Sequence, residues 1–107
     1  MNLRRFQRFP VRLSSVLTDP KFDESVAMTV NLSKQGCLLE IDRQLDTGMP
    51  VSVRIDLPGE SSPIYIAQAT VRWSLVGNVG LGFTKVDPSE QARLDKLLDR
   101  VNREDAC

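Results

Sequence analysis

A chain of 107 residues is long enough for one domain with its own hydrophobic core and too short for two. Fourteen basic and fourteen acidic side chains cancel, so the excess of positive charge that is typical of general DNA- or RNA-binding proteins is missing. The absence of histidine excludes Ser-His and Cys-His nucleophiles, and the two cysteines, Cys37 and Cys107, match no zinc-binding pattern. These features argue against a nucleic-acid-binding protein, against an enzyme and against a metal protein.

The apolar stretches of the chain are short. None approaches the roughly 20 residues that a membrane-spanning helix needs, and no signal-peptide pattern opens the sequence. We therefore expect a soluble cytoplasmic protein without membrane insertion. Cys37 lies in an apolar run, and we expect it to be a buried free thiol.

The first ten residues are predicted to form an arginine-rich arm. Four arginines precede the first acidic residue of the chain, Asp19; they are Arg4, Arg5, Arg8 and Arg12. This concentration of positive charge predicts an anion-binding surface near the start of the chain. Because little chain precedes Arg4, we expect residues 1–9 to be mobile until a ligand binds.

Turn-forming residues recur at short intervals from Val11 to about Val86, which predicts a series of short antiparallel strands. The predicted strands cover residues 11–17, 25–32, 37–41, 51–57, 64 to about 75, and 79–84. In the fourth of them apolar and polar residues alternate cleanly, as in a strand with one face exposed to solvent. In the last, Gly80 and Gly82 form a face of small residues, against which another group could pack closely or at which the strand could bend.

The hydrophobic period changes after Val86. Asp87 is a candidate N-cap, Pro88 suits the first position of a helix, and Glu90 has the spacing of a capping box. Apolar residues then recur with the period of an amphipathic helix; they are Leu94, Leu97, Leu98 and Val101. We therefore predict a helix over about residues 87–102, with its apolar stripe packed on the strands.

Six strands followed by one helix, without alternation of strands and helices, predict a mainly β fold. The expected architecture is a small six-stranded antiparallel Greek-key-like β-barrel with a C-terminal α-helix. We expect the arm to comprise residues 1–10 and the barrel with its helix to comprise residues 11–107.

Two short motifs give the chain a more specific character. The first is Arg4-Arg5-Phe6-Gln7-Arg8, and the second is Asn31-Leu32-Ser33-Lys34-Gln35-Gly36. Taken separately, they are typical of solvated surface arginines and of an ordinary hairpin turn. In this order they resemble the paired signature of PilZ domains, Arg-x-x-x-Arg followed by Asp/Asn-x-Ser-x-x-Gly.

The resemblance extends over nearly the whole chain. Later PilZ-like segments are Ala69-x-Val71-Arg72-Trp73, Gly80-Leu81-Gly82-Phe83 and Asp87-Pro88 at the start of the predicted helix. The resemblance implies a six-stranded barrel whose arginine arm folds over cyclic di-GMP, a bacterial second messenger. It implies a receptor for this messenger that acts as an adaptor and signals to an unidentified protein partner. It also implies that the chain has no catalytic residues, no metal and no cofactor.

The implied ligand-binding residues are Arg4, Arg5, Arg8, Asn31, Ser33 and Gly36. Cyclic di-GMP carries two phosphates and two guanines, and the planar fork of arginine can pair with phosphate oxygens or with guanine O6 and N7. Arg4 and Arg8 are expected to be the principal ligands, with Arg5 assisting. The amide oxygen of Asn31 can accept a hydrogen bond from a guanine N–H, although it lacks the charge of aspartate.

Arg72 and Trp73 are neighbours on a predicted strand. Successive strand residues face opposite ways, so we expect at most one of the two to face the ligand. We expect Trp73 to fill the core, together with Ala69, Val71, Leu81 and Phe83.

Three other interpretations compete with a cyclic di-GMP receptor. The chain could be a PilZ-like protein–protein interaction module that does not bind nucleotide, although both motifs are intact. A small barrel that binds RNA or DNA is disfavoured by the zero net charge and by the few aromatic residues, which are one Trp, one Tyr and four Phe. An enzyme fits least, since the sequence contains no base–nucleophile pair and no phosphate-binding loop.

Overall fold

The computed structural model describes residues 7–105 of the chain, and the side chains of residues 7–102. Arg4 and Arg5 of the predicted site and Cys107 lie outside the described residues. Within the described range the chain forms six strands and one helix, and the strands close into an antiparallel barrel. The elements are β1 (Phe9–Thr18), β2 (Glu24–Leu32), β3 (Gly36–Glu40), β4 (Pro50–Ile55), β5 (Ile64–Leu75), β6 (Asn78–Lys85) and α1 (Pro88–Asp105). The predicted fold class is confirmed.

The strands follow the order β1-β2-β3-β6-β5-β4 around the barrel, and β4 pairs with β1 to close it. Consecutive strands form hairpins except β3 and β4, which pair with β6 and β1 instead and so give the barrel its Greek-key character. In this order β3 and β6 lie on one side of the barrel, and β1 and β4 lie on the opposite side. The two sides have different surfaces.

The interior is filled by the inward-facing residues of every strand, as the period of two requires. Leu17, Ile55 and Ile66 are fully buried. Ser15 and Thr29 are also buried, and their hydroxyl groups form a hydrogen bond to each other at 2.6 Å. This pairing avoids the cost of burying an unsatisfied polar group.

The structure begins β1 at Phe9, two residues before the strand expected from the sequence. Phe9 is buried and lies opposite Leu32 of β2, and Pro10 lies opposite Asn31. Because the Phe9 ring is buried, the last two residues of the expected arm, Phe9 and Pro10, belong to β1, which begins directly after Arg8.

Helix α1 packs its apolar stripe on the barrel, with Leu94, Leu97 and Leu98 buried. Glu90 does not form the predicted capping box. Its Oε1 accepts a hydrogen bond from the Tyr65 backbone N–H at 2.6 Å, and its Oε2 accepts one from Arg93 at 3.3 Å. Glu90 therefore fixes the first turn of α1 to the start of β5 and not to its own N-cap.

The turn between β1 and β2 is held by the carboxylate of Asp19. One of its oxygens accepts the backbone N–H groups of Lys21 at 2.8 Å and Asp23 at 3.1 Å, and the other pairs with Arg43. The hydrogen bond from Arg43 holds the pKa of Asp19 below its ordinary value, against the burial that would raise it. This clamp fixes Phe22 with a φ of 67°.

Candidate functional site

The pairing of β1 with β2 brings parts of the two sequence motifs together. Arg8 directly precedes β1, and its Nη1 donates a hydrogen bond to Oδ1 of Asn31 at 3.4 Å. The register of the hairpin accounts for this contact, because Pro10 lies opposite Asn31 near the end of β2. The last arginine of the first motif therefore contacts the first residue of the second, 23 residues later.

Ser33 and Gly36 shape the turn that follows Asn31. Gly36 accepts hydrogen bonds on its carbonyl oxygen from the backbone N–H of Ser33 at 2.9 Å and from the Ser33 hydroxyl at 3.3 Å. The same hydroxyl accepts the N–H of Gln35 at 3.2 Å. The Ser33 side chain is therefore buried and hydrogen-bonded within the turn that follows Asn31.

Gly36 is needed for a close approach between strands. It lies opposite Gly82 of β6, and a Cβ at Gly36 would overlap the carbonyl oxygen of Leu81. Its backbone is not in the positive-φ region that Gly48 and Gly77 occupy. Space against the β6 backbone, and not an unusual φ, accounts for glycine at this position.

Trp73 lies on the outside of the barrel, so its predicted place in the core is wrong. Its side chain is 42% exposed, and its ring covers Gly80 so closely that a Cβ at Gly80 would overlap Nε1 of the indole. The register places Trp73 and Leu38 on either side of Gly80, with Asn31 opposite Leu38. The tryptophan therefore lies on the same outer surface as the second motif.

Arg72 also faces outward, so the alternation of faces from which we expected at most one of the two neighbours to face the ligand does not hold here. A β-bulge between Val71 and Trp73 inserts an extra residue into β5, and the strict alternation of faces is lost there. The exposed Arg72 side chain lies across Gly82. The sequence signal was the small face of Gly80 and Gly82, which leaves room for both large side chains.

The outer surface that carries Arg8, Asn31, Arg72 and Trp73 is called the candidate face. Three exposed cations lie on it or at its edge, Arg8, Arg72 and Lys34. Within residues 7–102, none of these three forms an ion pair with a carboxylate. The candidate face therefore combines uncompensated positive charge with an exposed aromatic ring, a combination that suits an anion bearing an aromatic base.

A separate groove of about 690 Å³ runs between the start of β1 and helix α1. Lys34 lines it on the barrel side, and Asp95, Lys96 and Asp99 line it on the helix side. Because the two aspartates offset the charges of the two lysines, this groove suits a ligand with two phosphates less well than the candidate face does.

Cys37 lies directly after Gly36 but points into the barrel. It is a buried free thiol, as the sequence predicted, and burial raises its pKa to about 12. A thiol that stays protonated at neutral pH is a poor nucleophile, so Cys37 contributes packing beneath the candidate face.

Metal-binding clusters and membrane-spanning helices are both absent from the described part of the chain. Among these residues no group of three or more His, Cys, Asp or Glu side chains is arranged to hold a metal ion. No helix in the same range has the length and apolar character needed to cross a membrane.

Known structures share this fold. The PilZ domain of CeSA from a cellulose-synthesizing bacterium superposes with a TM-score of 0.73 at 17% identity, covering 90% of this chain and 98% of that one. The PilZ domain of YcgR from Escherichia coli, solved with c-di-GMP, gives a TM-score of 0.77 at 14% identity, with coverages of 96% and 94%. The Bacillus subtilis inhibitor of motility MotI/DgrA gives 0.79 at 18% identity, covering 99% of this chain but 53% of the other.

A comparison with curated proteins gives no match. The family model of the PilZ domain, however, matches residues 2–100, which include both motifs, all six strands and most of α1. Since this match spans nearly the whole sequence and the barrel has the fold of known PilZ domains, the chain belongs to the PilZ domain family.

Proposed function

We propose that this protein is a receptor for cyclic di-GMP, which it binds on the candidate face, and that it passes the signal to a protein partner. The observation that carries the proposal is the contact between Arg8 and Asn31, which joins the two halves of the PilZ motif beside uncompensated positive charge. The fold of the YcgR domain supports the proposal, because that domain has the same kind of barrel and was solved with c-di-GMP.

Arginines would bind the phosphates. Arg8 is exposed at the edge of the candidate face, and Arg4 and Arg5 come shortly before it in the sequence. A guanidinium can donate two parallel hydrogen bonds to one phosphate, which lysine cannot do. We therefore assign the phosphates to Arg8 and Arg4, with Arg5 as an additional donor.

Asn31 and Trp73 would recognise the bases. The amide oxygen of Asn31 accepts from Arg8, and its second lone pair can still accept a guanine N–H. The exposed ring of Trp73 offers a flat surface on which a base can stack, and Arg72 lies beside it. Ser33 and Gly36 would act indirectly, by holding the turn that positions Asn31.

Titration with cyclic di-GMP tests the proposal directly. Trp73 is the only tryptophan of the chain, so intrinsic fluorescence reports on the candidate face. We expect saturable binding by calorimetry with a matching change in Trp73 emission, and no such change with GTP or cyclic di-AMP. An Arg4→Ala/Arg8→Ala variant should show neither signal.

Two Trp73 variants locate the site. Trp73→Ala should weaken binding by about 10-fold or more, since stacking of a base on an aromatic ring contributes about 1–3 kcal/mol, whereas Trp73→Phe should retain most of the affinity. If the native protein binds cyclic di-GMP without a change in Trp73 emission, and Trp73→Ala binds it with native affinity, the ligand does not bind on the candidate face. Absence of any binding would contradict the receptor function itself.

We further propose that the arm changes conformation when the ligand binds. Ordering a residue costs about 1 kcal/mol or more, so ligand contacts to Arg4, Arg5 and Arg8 would have to offset that cost. Hydrogen–deuterium exchange should show increased protection of the amides of residues 2–8 with cyclic di-GMP, and little change in the buried strands. Equal protection with and without ligand would rule out the arm as the signalling element.

A further inference from the structure

One end of the barrel is rich in acidic residues, although the chain as a whole carries no net charge. This end is formed by the β1–β2 turn and by the first residues after β3. Residues 19–24 contain three acidic residues and one basic residue, and residues 40–43 contain two acidic residues and one basic residue. Arg8 lies at the other end of β1, whose ten residues span about 30 Å. The neutral chain therefore keeps its negative charge at a distance from the cations of the candidate face.

Three of these carboxylates are not neutralised by a neighbour. Arg43 pairs with Asp19, and Arg12 pairs with Glu40 at 3.7 Å. Within residues 7–102, no ion pair is formed by the three exposed carboxylates that remain, which are Asp23, Glu24 and Asp42. Lys21 balances only one of these charges. The surplus of negative charge attracts cations, and it repels nucleic acids and anionic lipid surfaces.

Two exposed apolar side chains lie among the carboxylates. Phe22 is 85% exposed and Val26 is 84% exposed. Phe22 and Glu24 line one end of a shallow groove of about 610 Å³, and Val26 and Asp42 line another of about 570 Å³. Each groove therefore offers apolar surface beside a carboxylate, and exposed apolar surface rimmed by polar groups is typical of a protein interaction site. The surface of Phe22, Val26, Asp23, Glu24 and Asp42 is called the acidic end.

Phe22 is presented to solvent at a cost in free energy. Its φ of 67° lies in the left-handed region, which is unfavourable for a bulky side chain and which glycine adopts freely. Arg43 ties the turn to the residues after β3, because it pairs with Asp19 and donates a hydrogen bond to Oγ of Ser25 at 3.0 Å. Within residues 7–102 the Phe22 ring gains little burial that would offset the strain. Contact with another molecule would bury the ring on a surface that is already fixed in shape.

We propose that the acidic end binds a cationic segment of the protein partner, in which lysine or arginine side chains alternate with apolar ones. The apolar side chains of the segment cover Phe22 and Val26, and its cations pair with the three free carboxylates. A second copy of this chain fits less well in a symmetric arrangement, because the two acidic ends would repel each other. The inference specifies the partner of the proposed function, on which it rests, and it leaves the candidate face open for the ligand.

A synthetic amphipathic helix of leucine and lysine tests the surface, and the same peptide with glutamate in place of lysine is its control. When the lysine peptide is titrated into the full chain without cyclic di-GMP, we expect saturable binding by calorimetry. Changes in amide chemical shift should cluster in residues 20–26 and 42–43. Trp73 emission should stay constant, because the ring lies on the candidate face. Because no ligand is present, the result does not depend on whether the receptor function is correct.

Three outcomes of this titration would overturn the proposal. They are the absence of binding, equal binding of the lysine and glutamate peptides, and shift changes that lie outside the acidic end. Sedimentation equilibrium of the chain alone tests the remaining occupant. An average mass that rises above 12.0 kDa in the native protein but not in Phe22→Gly would assign the surface to a second copy and would also overturn the proposal.

Variants of the acidic end separate charge from apolar contact. Glu24→Gln/Asp42→Asn should weaken binding of the lysine peptide by about 10-fold, because two charge pairs are lost. Phe22→Gly should weaken it by a similar factor without lowering the melting temperature, because glycine accepts the left-handed backbone. Asp56→Asn is the matched control, since Asp56 is exposed, forms no ion pair within residues 7–102 and follows the far end of β4.

The comparison with Asp56→Asn decides whether the carboxylates of the acidic end are specific. If Glu24→Gln/Asp42→Asn bound the lysine peptide as tightly as Asp56→Asn does, the proposed pairing with Glu24 and Asp42 would be wrong. All of these variants should bind cyclic di-GMP with native affinity, because they leave the candidate face unchanged. A loss of cyclic di-GMP binding in Phe22→Gly would contradict the separation of the two surfaces.

Discussion

Replacing Arg8 with alanine is expected to weaken cyclic di-GMP binding by about 100-fold. The guanidinium is exposed and makes one long hydrogen bond within the described protein, at 3.4 Å to Asn31, so its removal should affect folding little. In the proposed complex it donates two charge-assisted hydrogen bonds to a phosphate. Their loss should cost about 3 kcal/mol, which corresponds to about two orders of magnitude in the dissociation constant.

Arg12→Ala is the matched control for this experiment. Arg12 belongs to the same cationic end of the chain, but it lies outside the motif, and its 69% exposed side chain pairs with Glu40 at 3.7 Å. Exposed pairs of this kind contribute about 1 kcal/mol or less, so we expect cyclic di-GMP affinity and stability close to those of the native protein. Isothermal titration calorimetry of both variants at one salt concentration makes the comparison.

A third variant separates charge from geometry. Arg8→Lys keeps the positive charge but loses the planar fork, and its affinity should lie between those of the native protein and Arg8→Ala. If Arg8→Ala and Arg12→Ala weakened binding equally, general electrostatic attraction would be responsible, and the assigned role of Arg8 in holding a phosphate would be wrong.

The barrel and the helix could be predicted from the sequence because their burial is one-sided. In a closed barrel every strand has an inner face and an outer face, so apolar residues such as Val51, Val53 and Ile55 recur with a period of two. The helix buries Leu94, Leu97 and Leu98 with the period of 3.6 residues that marks an amphipathic segment. Both patterns are local, so they can be recognised without knowing which strands are neighbours.

The features that could not be predicted depend on the pairing of distant segments. Trp73 is apolar enough for the core by composition, and only the register of β5 against β6 creates the bulge that turns it outward with Arg72. Glu90 has the spacing of a capping box, yet its carboxylate is taken by the backbone of Tyr65, 25 residues away. Nothing local marks Phe22 as a residue with positive φ, because the clamp includes Arg43 from beyond β3.

The proposed site shows the same division between local motif and pairing. Ser33 and Gly36 could be placed in one turn from the sequence, because Ser and Gly have known positions in such turns. The hydrogen bonds of Ser33 and Gly36 within the turn follow from the pairing of β2 with β3. The contact of Arg8 with Asn31 follows from the pairing of β1 with β2. The ligand-binding roles of all six residues of the predicted site stay predictions, including those of Arg4 and Arg5.

Replacing Gly36 with alanine is expected to destabilise the barrel strongly, although it adds only one methyl group. The new Cβ would overlap the Leu81 carbonyl oxygen, which belongs to the backbone of β6 and cannot rotate away. β3 would have to move from β6, at a cost of about 2–3 kcal/mol, or about 10–20 °C in melting temperature for a domain of this size. Urea and thermal unfolding followed by circular dichroism measure both quantities.

Gly77→Ala is the control that separates crowding from backbone strain. Gly77 has a φ of 83°, but a Cβ there would meet no other atom within 4 Å, so alanine should cost only the strain of a left-handed residue, about 1 kcal/mol. The two variants should also differ in cyclic di-GMP binding. The Gly36 carbonyl accepts the hydrogen bonds of Ser33 that hold the turn after Asn31, so a displaced Gly36 should weaken binding, whereas Gly77→Ala should leave it intact. If both variants lost the same stability and kept the same affinity, β3 could move from β6 without cost, and the close spacing of the two strands would not be what positions the candidate face.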